Sequence, residues 1–258
     1  MNKRFLKAIV LASMTLGLGL YSCNKDIVDP KTETPTDTNG GKGFTPYAPV
    51  MPGADATLVS IEVFTTQKAP EIPGMPAMDD IELNYEMGVA SFKGNGGKVG
   101  SITLNGNELK FQNGSYLFMP QNPVDPADDE ILDFKYSGIN WVVTSPDFQK
   151  SGYGVPGMPK ITSAKEVTMA DGYAFQTVYA NADSVVYMIS GSKGTVIKTM
   201  SALAGNPTFT PEELSDLGAT EYGMLQATAI IYENEEVDGK DVWYIKEACY
   251  NVPNVIIK

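Results

Sequence analysis

The sequence predicts an all-β protein of two β-sandwich domains, and three observations predict it. Beyond about residue 55 the chain breaks into short segments in which apolar and polar residues alternate, the period of a strand with one buried face. Gly, Asn, Asp and Pro divide these segments at the spacing of strands and turns in a sandwich or barrel, with no sustained helical period. About 200 residues lie in this region, more than one small sandwich needs. A domain over 55–148, a linker over 149–159 and a second domain over 160–258 are therefore expected.

In the first domain, Val59, Ile61 and Val63 alternate with Ser60 and Glu62, and Ile81, Leu83, Tyr85 and Met87 alternate with Glu82, Asn84 and Glu86. Each set reads as a half-buried strand. Ile102-Thr103-Leu104, Asn105-Gly106 and Leu109-Lys110-Phe111 give the sharpest hairpin signal, because Asn-Gly supplies the positive φ angles of a tight turn. A second pair, Asn113-Gly114, leads into Tyr116-Leu117-Phe118. Trp141 reads as a core residue of a late strand. The Pro and Gly residues between Ser145 and Pro159 mark the junction.

In the second domain, Tyr173 to Tyr179 alternate, and Val185 to Ile189 are apolar on both faces, as in a central strand. The one helical signal follows: Thr210 caps, Pro211 takes the first helical position, Glu213 completes a capping box and Gly218 terminates. Leu225, Ala227, Ala229 and Ile231 then form one face of a long strand, joined through Asp238-Gly239 to Val242-Trp243-Tyr244-Ile245.

Tyr222, at the corner after Gly218 and before that strand-turn-strand, resembles the tyrosine corner of immunoglobulin and fibronectin type III sandwiches. The resemblance covers about the last 50 residues, and Gly218 stands where those families usually carry a proline. It implies an immunoglobulin-like second domain with the Tyr222 hydroxyl bonded back to the backbone. A core tyrosine without that bond is the alternative.

The first 22 residues read as a leader: Lys3, Arg4 and Lys7, then an apolar run from Ala8 to Tyr21, short of the roughly 20 residues needed to span a bilayer. Leu20-Tyr21-Ser22-Cys23 resembles the lipobox of bacterial lipoproteins, with Tyr21 an unusual occupant between the aliphatic and the small residue. The resemblance implies cleavage after Ser22 and acylation of Cys23, anchoring the protein to a membrane. An ordinary signal peptide, leaving Cys23 an incidental thiol, is the alternative. Residues 23–54, rich in Thr, Pro, Asp, Gly and Lys, read as a disordered tether. Lipidated cysteine, polar tether and β-rich body together resemble Bacteroidetes-type envelope lipoproteins, which implies an outer-membrane location on the periplasmic or the surface side.

Composition excludes several functions. The formal charge is −12, and it becomes −15 once the three basic residues of the leader are gone. That disfavours nucleic acid, whose binding rests on phosphate neutralisation. The chain has no histidine, which removes Ser-His-Asp and Cys-His catalysis and every His-containing zinc site. Cys249 is the one cysteine besides Cys23 and reads as a small buried hydrophobe.

Three groups are candidate sites. Asp125, Asp128, Asp129 and Glu130 crowd one loop and supply part of a Ca²⁺ oxygen set, although the spacing is not that of an EF-hand and a solvated turn is the simpler reading. Glu233, Glu235, Glu236 and Asp238 crowd a hairpin, as a charged tip or as a seat for a cationic or neutral ligand. Trp141, Tyr153, Tyr47 and Trp243 are candidate aromatic platforms for a sugar face, against the commoner role of aromatics as core. No cofactor is implied. The sequence reads as a lipid-anchored, non-enzymatic binding module for a glycan or peptide. A structural lipoprotein contacting other envelope proteins comes second, and a hydrolase with paired carboxylates is a distant third.

Overall fold

The computed structural model describes residues 51, 53–67, 69, 80–122, 131–144, 147–152 and 154–258. The lipobox with Cys23, Tyr47, the acidic loop Asp125, Asp128, Asp129 and Glu130, and Tyr153 lie outside the described residues. Among the described residues no helix is long and apolar enough to cross a membrane.

The protein is all-β. In chain order the strands are β1 (Ala56–Gln67), β2 (Ile81–Phe92), β3 (Ile102–Leu104), β4 (Asn107–Glu108), β5 (Lys110–Gln112), β6 (Ser115–Phe118), β7 (Ile139–Thr144), β8 (Asp147–Gly152) and β9 (Lys160–Ile161). They continue with β10 (Glu166–Val167), β11 (Tyr173–Ala174), β12 (Thr177–Val178), β13 (Ser184–Ser190), β14 (Thr195–Ser201), β15 (Thr208–Phe209), β16 (Thr220–Val237) and β17 (Lys240–Ile257). Nine strands form one open sheet in the order β14-β13-β16-β17-β1-β2-β6-β5, with β10 added to the end of β17. Four more form a second sheet, β4-β3-β7-β8.

The Asn-Gly and Asp-Gly pairs set the local geometry. Asn105 and Gly106, Asn113 and Gly114, and Asp238 and Gly239 all have positive φ, closing the two-residue hairpins β3/β4, β5/β6 and β16/β17. The expected hairpin at Asn105-Gly106 therefore forms, with one difference. Its second strand ends at Glu108, and the chain passes through buried Leu109 into β5, which belongs to the other sheet. The helix Pro211–Leu214 carries the expected capping box: Glu213 N–H donates to Thr210 Oγ1, and Thr210 N–H donates to Glu213 Oε2 at 2.7 Å.

One hydrogen-bonded sheet contains strands from both expected domains. β1 runs parallel to β17 from Ala56↔Val242 to Phe64↔Tyr250. The cores are shared as well. The four-stranded sheet lays Ile102, Leu104, Trp141 and Phe148 on Ala56, Leu58 and Ala90 of the first half, and on Val242 and Tyr244 of the second. Gly88 permits this approach, since a Cβ there would lie 2.6 Å from Leu104 Cδ2. Farther along the same face, Phe175, Phe209, Leu214 and Leu217 cover Val185, Tyr187, Leu225 and Ala227. The packing is that of a sandwich whose large layer spans residues 56–257, and the linker expected at 149–159 divides neither the hydrogen bonding nor the core.

The tyrosine-corner expectation is corrected. Tyr222 is 83% exposed, and its backbone N–H donates to Thr220 Oγ1 at 3.0 Å, so its ring lies outside the core. Bonds of that kind are made instead by Tyr116, whose hydroxyl donates to Val99 O at 2.9 Å, and by Tyr173, whose hydroxyl donates to Ala164 O at 2.7 Å.

Candidate functional site

Trp141 is a core residue and offers no platform. It is 1% exposed, and its indole N–H donates to Ser60 Oγ at 3.1 Å across the two layers. Trp243 is different. Alternation along β17 turns Val242 and Tyr244 toward the four-stranded sheet, which leaves Trp243 half-buried on the opposite face.

Strand register places Trp243 in a straight row of polar side chains on that face. Asn234 of β16 lies opposite Trp243, Trp243 opposite Thr57, Thr57 opposite Ser91, Ser91 opposite Ser115, and Ser115 opposite Gln112. The row crosses six strands. Its end members, Asn234 and Gln112, are exposed; Trp243, Ser91 and Ser115 are half-buried, and Thr57 is buried. Internal bonds hold it: Trp243 Nε1 donates to Asp241 Oδ2 at 3.1 Å, Asn234 Nδ2 donates to Asp241 Oδ1, and the Ser91 and Ser115 hydroxyls are 2.9 Å apart.

The rows on either side have opposite character. Toward the hairpin tip, Glu236 faces Asp241, and Asp55 accepts at its Oδ2 from the Asp241 N–H at 3.0 Å, making an acidic fringe. In the other direction the adjoining row is Tyr232, Ile245, Val59, Val89, Leu117 and Lys110, of which Ile245 and Val59 are buried in a third core cluster on this face.

The hairpin acids divide between the two faces. Glu233 and Glu235 project on the side of the four-stranded sheet, where Glu233 Oε1 accepts from the nearly buried Lys246, and Glu235 Oε2 lies 2.8 Å from Lys150 Nζ. Lys150 also sits 5.1 Å above the Tyr244 ring. The gap beneath these groups, about 10 Å³ and lined by Ser60, Trp141 and Lys246, has room for one water molecule. This network ties β8 to the long hairpin.

An open depression of about 500 Å³ lies at Asn105, Ile131, Leu132, Asp133, Ser137 and Asn140. Its amides are committed internally: Asn105 Nδ2 donates to Leu132 O at 2.6 Å and to Gly138 O at 2.7 Å, and Asn140 Oδ1 accepts from Ser151 Oγ at 2.7 Å. One carboxylate pair also faces itself, Glu62 of β1 directly opposite Glu86 of β2. Burial raises the pKa of both above the ordinary carboxylate value. Glu86 Oε1 accepts from the Phe134 N–H at 2.8 Å, so this carboxylate caps the four-residue helix Phe134–Ser137 from a neighbouring strand. Among the described residues no group of three or more His, Cys, Asp or Glu is placed to hold a metal ion. Cys249 is buried, as expected, and its thiol pKa is pushed up to about 12 by that burial.

Of the two expected platform residues that are described, Trp243 lies on a partly open face with polar neighbours in line and Trp141 does not. Asn234, Thr57, Ser91, Ser115 and Gln112 were not candidates in the sequence, though two of the pairings are implied by it. A two-residue turn at Asp238-Gly239 sets Asn234 against Trp243, and one at Asn113-Gly114 sets Gln112 against Ser115. No family model, curated protein or solved structure matches the chain.

Proposed function

We propose that this protein is a lipid-anchored cell-envelope binding module whose ligand, a glycan or peptide, lies on the sheet face around Trp243. The observation that carries the reading is the transverse row of Asn234, Trp243, Thr57, Ser91, Ser115 and Gln112 on one face of the large sheet. An indole braced by Asp241 offers a flat apolar surface already held in place, so little side-chain freedom is lost on binding. Polar groups in line beside it supply orientation. The leader and Cys23 give the reading its location at the outer membrane, and the excess of carboxylates steers it away from nucleic acid and other polyanions.

Two measurements test it. Labelling of growing cells with radioactive palmitate marks the full chain, and Cys23→Ala abolishes the mark; an unlabelled wild-type chain removes the anchor. On glycan and peptide arrays the wild-type body binds a ligand that Trp243→Ala loses by about tenfold or more, the scale of an aromatic anchor. Binding that survives Trp243→Ala unchanged places the ligand elsewhere.

A further inference from the structure

We infer that β14, the outer strand of the large sheet, is a docking edge for a second copy of this chain. The copy lays its own β14 antiparallel along it, and one continuous sheet then crosses both molecules. This goes beyond the ligand reading and uses none of the residues around Trp243.

The backbone of β14 has bonds to give. The strand pairs with β13 from Ser184↔Ser201 to Ser190↔Thr195. Just past its two ends, Ala202 N–H donates to Asp183 O at 3.0 Å and Gly191 N–H donates to Gly194 O at 2.8 Å. Doubly bonded pairs alternate along an antiparallel ladder, so Val196, Lys198 and Met200 turn their N–H and C=O groups inward to β13. Thr195, Ile197, Thr199 and Ser201 turn theirs outward, and among the described residues no strand pairs with them.

This edge also lacks the usual protection. Sheets guard their edges with short strands, proline, bulges or a lysine held over the edge. Of the other edges of the two main sheets, β4 has two residues, β5 has three, and β8 carries Asp147 and Lys150. β14 has seven residues, rich in Thr, Val and Ile, with no proline and no bulge. Its one charge is drawn away from the edge. Lys198 Nζ lies 2.7 Å from Glu213 Oε2, donates to Thr208 O at 2.7 Å and sits 4.9 Å over the Phe209 ring.

Charge favours a copy as the occupant. The chain carries 31 acidic residues against 19 basic ones, so two copies repel over most of their surface. Between Asp183 and Glu212 there is no carboxylate, and β14 lies inside that stretch. Glu213 and Asp183, which approach from neighbouring elements, are held by Lys198 and by the Tyr232 N–H. An uncharged edge suits an uncharged strand, and β14 is itself such a strand. Full overlap of the two strands would set Lys198 against Lys198, a like-charge pair. A two-residue shift instead sets Ile197 against Ile197 at the two-fold axis and Lys198 beside Val196. Ile197 is half-buried against the cluster that holds Val186, and the shift continues that apolar surface into the second molecule.

The experiment is sedimentation equilibrium of the chain from Asn24 onward, which holds every strand of both sheets. It sediments as a dimer at about 200 µM and dissociates on dilution. Thr199→Pro removes an outward N–H and no bond to β13, and Thr199→Lys sets a free charge on the edge. Each weakens the dimer by about tenfold or more while the unfolding midpoint holds, and if the proline variant unfolds, the lysine variant decides. Ile197→Cys cross-links the dimer under mild oxidation, since doubly bonded partners have Cα atoms about 5.5 Å apart. Trp243→Ala leaves the dimer unchanged, which keeps this test separate from that of the ligand. A parent chain still monomeric at about 200 µM overturns the inference, whether or not β14 takes up a strand from another protein. So does a dimer that survives both Thr199 substitutions, or one that Ile197→Cys fails to cross-link.

Discussion

Trp141→Ala lowers the free energy of unfolding by about 3–5 kcal/mol, a large share of the 5–15 kcal/mol available to a typical domain. The indole is 1% exposed at the centre of the contact between the two layers, with Ile102, Leu104, Leu132 and Phe134 around it. Truncation removes that packing and leaves a cavity that two hydrogen-bonded sheets cannot easily close. It also leaves Ser60 Oγ, 1% exposed, without the indole donor that now sits at 3.1 Å. Trp141→Phe separates the two terms, keeping most of the volume and losing only the hydrogen bond, and costs about 1–2 kcal/mol. The measurement is the midpoint of denaturant unfolding at constant slope. A loss below about 1 kcal/mol for the alanine variant would mean that the four-stranded sheet is seated by something other than this ring.

Glu247→Leu has the opposite sign. Glu247 is fully buried between Ile61 and Ile230 on the paired strands, and neither of its carboxyl oxygens has a hydrogen-bond partner among the described residues. Burial pushes its pKa well above the ordinary value of 4.5. The unfolded chain releases the proton near that ordinary value, whereas the folded protein keeps it to higher pH. Within this window the fold binds more protons than the unfolded chain, so stability falls as pH rises. The leucine variant has no such proton and loses this slope. It is more stable than the parent by about 1–3 kcal/mol at pH 8, the cost of an unsatisfied buried polar group, and the difference narrows toward pH 4.5. Unfolding midpoints at both pH values check it. Parallel pH profiles for parent and variant would show that Glu247 titrates in the fold as it does in water.

The parts of the fold set by local chemistry were legible in the sequence. Asn105-Gly106, Asn113-Gly114 and Asp238-Gly239 encode their turns through positive φ, and Thr210, Pro211 and Glu213 encode the helix start through its capping box. The doubly apolar Val185–Ile189 segment gave away a strand covered on both sides, β13 between β14 and β16. What was not legible is non-local. The parallel pairing of β1 with β17 joins residues far apart in the chain, Ala56 with Val242, and no turn residue marks it. Missing it turned one shared sheet into two domains. For the same reason the row around Trp243 was invisible apart from its two ends: Thr57 reaches Trp243 only through that pairing. Trp141 and Trp243 look alike in sequence, each inside a late strand. Their fates differ because burial depends on which face the alternation gives to the second layer.

The pairing of the first strand with the last also governs how the molecule comes into being. β1 stays an incomplete edge until its parallel neighbour, Val242 to Tyr250, far along the chain, is in place. Assembly is therefore dominated by long loop closures and correspondingly slow. A chain in which that pairing has not yet formed exposes Leu58, Val59 and Ile61 on an unzipped strand. That interval is when a chaperone has something to hold.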